Sequence, residues 1–172
     1  MAIDQLVASL LRVELFQGLK PLQITEISRL AERIVFRPGD KIIMAGQPGD
    51  AAYLIVSGAA EWLPSTDTGS QIGEPIEIGS LIGEMAMLID HVYGATIIAN
   101  GQVRCLKLTR EAMHAQMLAD PALAQHLTSK ITQRLTRVAQ ELKAIDQDFG
   151  EPFSDYAHEG IASADAQPQL AH

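Results

Sequence analysis

The chain has 172 residues, 47% hydrophobic and 20% charged, with 13 Lys and Arg against 21 Asp and Glu and a formal net charge of −8. That mixture suits one globular domain, or one domain with a tail, and its sign argues against a nucleic-acid-binding surface, which needs clustered cations. A single cysteine, Cys105, excludes an intramolecular disulfide and a cysteine-rich metal site; no leader-like start and no apolar run near the roughly 18 residues of a membrane span are present, so a cytoplasmic location is the default expectation.

Residues 3–34 read as helical. Ile3, Leu6, Leu10 and Leu11 recur at helical spacing, and Ile24, Ile27, Leu30 and Ile34 repeat it. Gly18 and Pro21 separate the two parts, with Pro21 suited to a first helical turn. From Val35 the pattern changes to short strands and tight turns. Val35-Phe36-Arg37 meets the turn Pro38-Gly39-Asp40. Lys41-Ile42-Ile43-Met44 leads to a second turn over 45–50. Tyr53-Leu54-Ile55-Val56 is a strong strand, and Ala59 to Leu63 is another. Residues 64–74 are polar and read as an exposed loop. Strands are expected again at Ile76-Glu77-Ile78, Ala95 to Ala99 and Val103 to Leu108. Within the last, Cys105 faces either core or solvent, a small packed thiol being the plainer reading. The pattern is mainly β with flanking helices, and short strands punctuated by Gly and Pro imply a sandwich or barrel.

Thr109 is a good N-cap for a helix to about Leu118. Asp120-Pro121 starts another, running to about Asp146. Its apolar seam is Ala124, Leu127, Ile131, Leu135, Val138, Leu142 and Ile145, with steps of 3, 4, 4, 3, 4 and 3 residues. The seam packs either on the chain's own barrel or on a second copy; a helix this long has more seam than a small barrel covers, which favours a homodimer. The division expected is a helical segment at 1–34, a barrel at 35–108, C-terminal helices at 109–148 and a disordered acidic tail at 149–172, where Glu151, Asp155, Glu159 and Asp165 occur without Lys or Arg.

Four stretches in order carry a family resemblance: Leu15-Phe16-Gln17-Gly18-Leu19, then Phe36 to Ile43, then Gly46 to Gly58, then Gly79-Ser80-Leu81-Ile82-Gly83-Glu84-Met85-Ala86-Met87-Leu88. Over residues 13–145 the chain resembles the cyclic-nucleotide-binding domain of the catabolite-activator regulators, also found in cyclic-nucleotide-dependent kinases and channels. The resemblance implies a double-stranded β-helix, or jelly-roll-like barrel, with N-terminal helices and a long C-terminal helix, and a phosphate-binding cassette at 79–96. In it, backbone N–H groups would bind an anion, Gly83 would allow close backbone approach, and Glu84 would accept from a ribose hydroxyl. The implied ligand-binding residues are Gly83, Glu84, Met85, Ala86, Tyr93, Gly94 and Ala95, the ligand being cAMP, cGMP or another small anion, with no other cofactor.

Three departures stand out. The family's phosphate-pairing arginine falls nine residues after the glutamate, and here that residue is Tyr93. Tyrosine offers a neutral hydrogen bond and no charge, and a charge-assisted bond is worth about 1.5–3 kcal/mol. His91 is the nearest candidate for replacing that charge, although a solvated loop histidine is the commoner case. On the long helix, the positions matching the family's adenine-contacting hydroxyls are Val138 and Ala139. The stretch after Asp146 is short and polar, so no DNA-binding domain and no direct DNA contact are expected there. Lys130, Arg134, Arg137 and Lys143 share the long helix with Glu141 and Asp146, as a solvated face does.

Two functions remain open: a module that senses a small ligand and signals through its long helix, or a degenerate domain used as a protein-interaction scaffold. A metal enzyme of the cupin type is not expected. Of His91, His114, His126, His158 and His172, only His91 lies in the barrel, and metal catalysis needs several ligands on facing strands.

Overall fold

A computed structural model describes residues 3–63 and 73–149, with side chains described for 5–63 and 73–144. The chain begins with α1 (Ile3–Leu11), a short 3₁₀ turn (Glu14–Phe16) and α2 (Pro21–Leu30). Pro21 occupies the first turn of α2, and Gln23 completes its start by accepting from the Lys20 backbone N–H at 2.9 Å. Ile34 is not helical: the first strand, β1 (Glu32–Phe36), already includes it. Ile34 and its neighbour Val35 are both β-branched, which favours strand over helix where helical spacing was read.

Among the described residues β1 is the first of ten strands, all paired antiparallel. β2 spans Lys41–Ile43, β3 Pro48–Gly49, β4 Ala51–Ser57 and β5 Ala60–Leu63. β6 spans Glu74–Ile76, β7 Leu81–Ile82, β8 His91–Val92, β9 Thr96–Ala99 and β10 Val103–Thr109. One sheet has the order β1-β10-β4-β7 and the other β2-β9-β5-β6, while β3 and β8 form a separate pair. This is a jelly-roll sandwich closed by helices. The alternation read at Ile76-Glu77-Ile78 lies one turn later than the strand, which ends at Ile76 and leaves Ile78 59% exposed. The loop expected at 64–74 falls outside the described residues at 64–72.

Two hydrophobic cores result. One lies under the helices and contains Leu6, Leu10, Phe16, Ile24, Ile27, Leu54, Leu106, Leu108, Met113, Leu123 and Leu127. The other fills the sandwich and contains Ile42, Ile43, Ile55, Ala60, Ile82, Ala86, Tyr93, Ile97, Ala99, Val103 and Cys105. Cys105 is therefore a packed thiol, and burial pushes it up to about 12.

β10 runs into α4 (Arg110–Ala119), whose start is capped by Thr109 accepting from the Ala112 N–H. Asp120 caps α5 (Pro121–Phe149) by accepting from the N–H groups of Ala122 at 3.0 Å and Leu123 at 3.1 Å. Its other carboxylate oxygen accepts from Gln23 of α2 at 2.7 Å. Residues 1–131 form one unit. Within it, the start of α5 turns Leu123 and Leu127 fully inward, with Ala124 only half-buried. Residues 132–149 of α5 belong to a second unit, in which Leu135, Val138 and Leu142 share one face and are 55%, 43% and 61% exposed. Apart from Phe149, the tail expected at 149–172 lies outside the described residues.

Candidate functional site

Residues 79–96 curl into a compact return. Gly79 N–H donates to Ile55 C=O at 2.8 Å and Ile55 N–H to Ser80 C=O at 3.0 Å, which pins the entrance to β4. β7 then pairs with β4, Leu81 opposite Leu54. Gly83 turns the chain at φ 73°, a left-handed geometry that favours glycine. A short helix follows, α3 (Glu84–Leu88), and β8 brings the chain back against β3 with His91 opposite Gly49.

The sequence-expected site residues fall in three places. Gly83, Glu84, Met85 and Ala86 form the turn and first turn of α3, with Ala86 fully buried. Tyr93 lies between β8 and β9 and is 7% exposed. Gly94 is exposed and Ala95 half-buried beside it. The structure thus brings Gly83, Ala86 and Tyr93 into contact. His91 is exposed on β8, pointing to the solvated-histidine reading. Val138 and Ala139 are both exposed on α5.

Tyr93 is the centre of the site. Its backbone is held on both sides, N–H to Gln47 C=O at 3.0 Å and C=O from Gly46 N–H at 2.9 Å. Its hydroxyl donates to the Ala51 carbonyl at 2.8 Å in a buried bond. The ring lies in a slot of small residues. A Cβ on Gly49 would stand 2.8 Å from the ring and 2.5 Å from the Ala86 methyl, and one on Gly83 would stand 2.9 Å from the ring. Only residues without side chains leave this much room, so Gly49 and Gly83 make the slot. Burial raises the Tyr93 phenol above its ordinary value, against a lowering by the Ala51 backbone and by the Arg110 charge. The ring is accordingly neutral at physiological pH. Across the sheet, Tyr53 is likewise pushed up to about 12 by burial, with its ring edge-on to Phe36 at 5.9 Å.

Sequence reasoning missed Gly49, Ala51 and Arg110. Arg110, the first residue of α4, donates from Nη1 to the Ile89 carbonyl at 2.8 Å, to the Gly49 carbonyl at 3.4 Å and to the Asp90 carboxylate at 2.8 Å. Its backbone N–H donates to the Asp50 carbonyl at 2.7 Å. One helical turn later, His114 Nε2 meets the Leu88 carbonyl at 2.7 Å, and since a carbonyl only accepts, that nitrogen carries the proton. No spacing rule links positions 49, 93 and 110; the Pro48-Gly49-Asp50 turn signal was the one visible trace. Among the described residues no cluster of His, Cys, Asp and Glu could hold a metal ion, and no helix is long and apolar enough to cross a membrane.

Two four-stranded sheets, a helical lid and a glycine-led cassette define a small jelly-roll module of the regulatory type. The model of the cyclic nucleotide-binding domain family matches residues 33–120, and the chain belongs to that family. It is 33% identical over 106 residues to a cAMP-dependent protein kinase regulatory subunit of Blastocladiella emersonii, an overlap of 61% of this chain and 26% of that protein. The chain thus spans about a quarter of the length of such relatives. Among solved structures it is similar to a cyclic nucleotide-binding-like protein from Brucella abortus, at 26% identity and a TM-score of 0.60, covering 66% of this chain and 98% of that one. It is also similar to the Thermus thermophilus catabolite activator protein, at 27% identity and a TM-score of 0.63, covering 77% of this chain and 62% of that one.

Proposed function

We propose that this chain is a non-catalytic regulatory module that answers a small ligand only weakly or atypically and signals through its long C-terminal helix. The observation that carries this reading is Tyr93. The resemblance assigns the space beside Gly83 to an anion and the Tyr93 position to its arginine partner. Here a neutral ring fills that space, with its hydroxyl bound to Ala51. A cyclic phosphate entering there must displace the ring. Exposing a ring of this size costs about 1.5–3 kcal/mol, and breaking its hydrogen bond about 1 kcal/mol more. Each 1.4 kcal/mol is about tenfold in affinity, so cyclic-nucleotide binding is weaker than a cassette arginine would give.

The output is the stripe of Leu135, Val138 and Leu142, whose exposure supports a partner helix, in the simplest case that of a second copy. The filled slot also favours the alternative, a degenerate domain serving as an interaction scaffold. Calorimetric titration with cAMP and cGMP separates the two. The sensing reading expects binding in the high-micromolar range or weaker, tightened by Tyr93→Arg. No heat from either protein, with the fold intact by circular dichroism, leaves the scaffold. Sub-micromolar binding by the unmodified chain would show that the ring is no obstacle.

A further inference from the structure

We infer that Arg110 is a positioning residue that clamps the slot shut around Tyr93, so that the closed state of the cassette is maintained from α4. This rests on the reading of the Tyr93 slot as the ligand's space. The ring is held between two walls. One is α3, with Ala86 against the slot; the other is the segment Gly49–Ala51, which supplies the bare Gly49 face and the Ala51 carbonyl. A single guanidinium reaches both walls. It donates to Ile89, the residue that ends α3, at 2.8 Å and to Gly49 at 3.4 Å. The same residue's backbone N–H holds Asp50, midway along the second wall, at 2.7 Å. Three consecutive carbonyls, those of Gly49, Asp50 and Ala51, thus answer to Arg110, Arg110 and Tyr93.

The magnitudes say which contact matters. The Asp90 carboxylate is 98% exposed and the Arg110 side chain 26%, and an ion pair so open to water contributes little. What distinguishes the bonds to the Ile89 and Gly49 carbonyls is that they reach the two walls of the slot, which the Asp90 pair does not. Both wall contacts leave from one nitrogen, Nη1, so a lysine ammonium keeps the charge and loses only the placement that the longer, planar guanidinium gives it. The clamp stands on the helix that leads through the Asp120 cap into α5. Opening the slot therefore requires α3 and the 49–51 segment to part, and parting them strains the first turn of α4.

The test is carbon-13 NMR of the full chain with labelled tyrosine ring carbons, Tyr93 assigned through Tyr93→Phe and Tyr53 serving as a fold control. In Arg110→Gln the Tyr93 resonance should move toward that of solvated tyrosine while Tyr53 stays put. Arg110→Lys should shift it part of the way, and Asp90→Asn should leave it in place. With the slot partly open, cAMP should bind Arg110→Gln about tenfold more tightly, because the competent state is more populated. An unmoved Tyr93 in Arg110→Gln overturns the clamp, whatever cAMP does. So does a joint shift of Tyr53 and Tyr93, which would make Arg110 a general stabiliser. A freed Tyr93 with no gain in cAMP binding upholds the clamp and removes the cyclic-nucleotide reading instead.

Discussion

The two cores of the 1–131 unit are made of different materials. The core under the helices is almost entirely Leu, Ile, Phe and Met, and the polar side chain buried on α2, Ser28, is satisfied within its own helix by donating to the Thr25 carbonyl at 2.7 Å. The sandwich core mixes Ile and Val with Ala60, Ala86 and Ala99, a thiol at Cys105 and the phenol of Tyr93. The first has only to fill volume. The second has to seat a hydroxyl, and it does so with a carbonyl acceptor at Ala51 and a slot opened by two glycines. A buried polar group demands a placed partner, whereas a methyl group accepts any close neighbour. The sandwich core is therefore where geometry is specific, and the helical core is where stability is stored.

That contrast can be broken by substitution. The largest effect is expected from Phe16→Ala, since Phe16 is fully buried in the helical core; it should destabilise the fold by about 3–5 kcal/mol, read from urea unfolding, with no change in which ligand is preferred. Tyr93→Phe should be milder. The ring still fits the slot, but the Ala51 carbonyl loses its donor, a loss of about 1–2 kcal/mol. If the sandwich core were merely volume-filling, Tyr93→Phe would be neutral in the same unfolding assay.

The smallest effect sharpens the comparison at the joint between α4 and α5. Hydrogen bonds from the Gln23 side chain and the Leu123 backbone hold the Asp120 carboxyl below its ordinary value of 3.8. A depressed carboxylate contributes its stability in full above the unfolded value and loses it as pH falls through the folded one. Asp120→Asn keeps the cap acceptor and removes the charge. Its melting temperature should fall less steeply than that of the unmodified chain as pH is lowered below about 4; parallel acid limbs would mean that the carboxylate is not engaged in solution as it is here.

Much of the fold was legible because short-range chemistry decides it. Pro38-Gly39-Asp40, Thr109 and Asp120-Pro121 carry turn and cap signals that act within four residues, and each stands at an element end. Boundaries slipped where two periods overlapped. Ile34 continues a helical spacing yet sits in β1, and Ile78 continues an alternation past the end of β6. On α5 the expected seam began at Ala124, but the face turned inward is led by Leu123. Spacing gives the period of a helix; only the seating of Leu123 and Leu127 in the core under the helices chooses the phase.

The site divided the same way. By itself the sequence determined a sandwich or barrel of short strands with flanking helices, which follows from turn residues and apolar periods, all local properties. The jelly-roll topology, a cassette at 79–96 and an arginine expected where Tyr93 stands came from the resemblance of four ordered stretches to a known family. Only the tertiary structure decided that Tyr93 points inward, that its hydroxyl is bound to Ala51, and that Gly49, Gly83 and Arg110 surround it. These residues come from four separate segments, and what brings them together is the closure of two sheets, which no local spacing encodes.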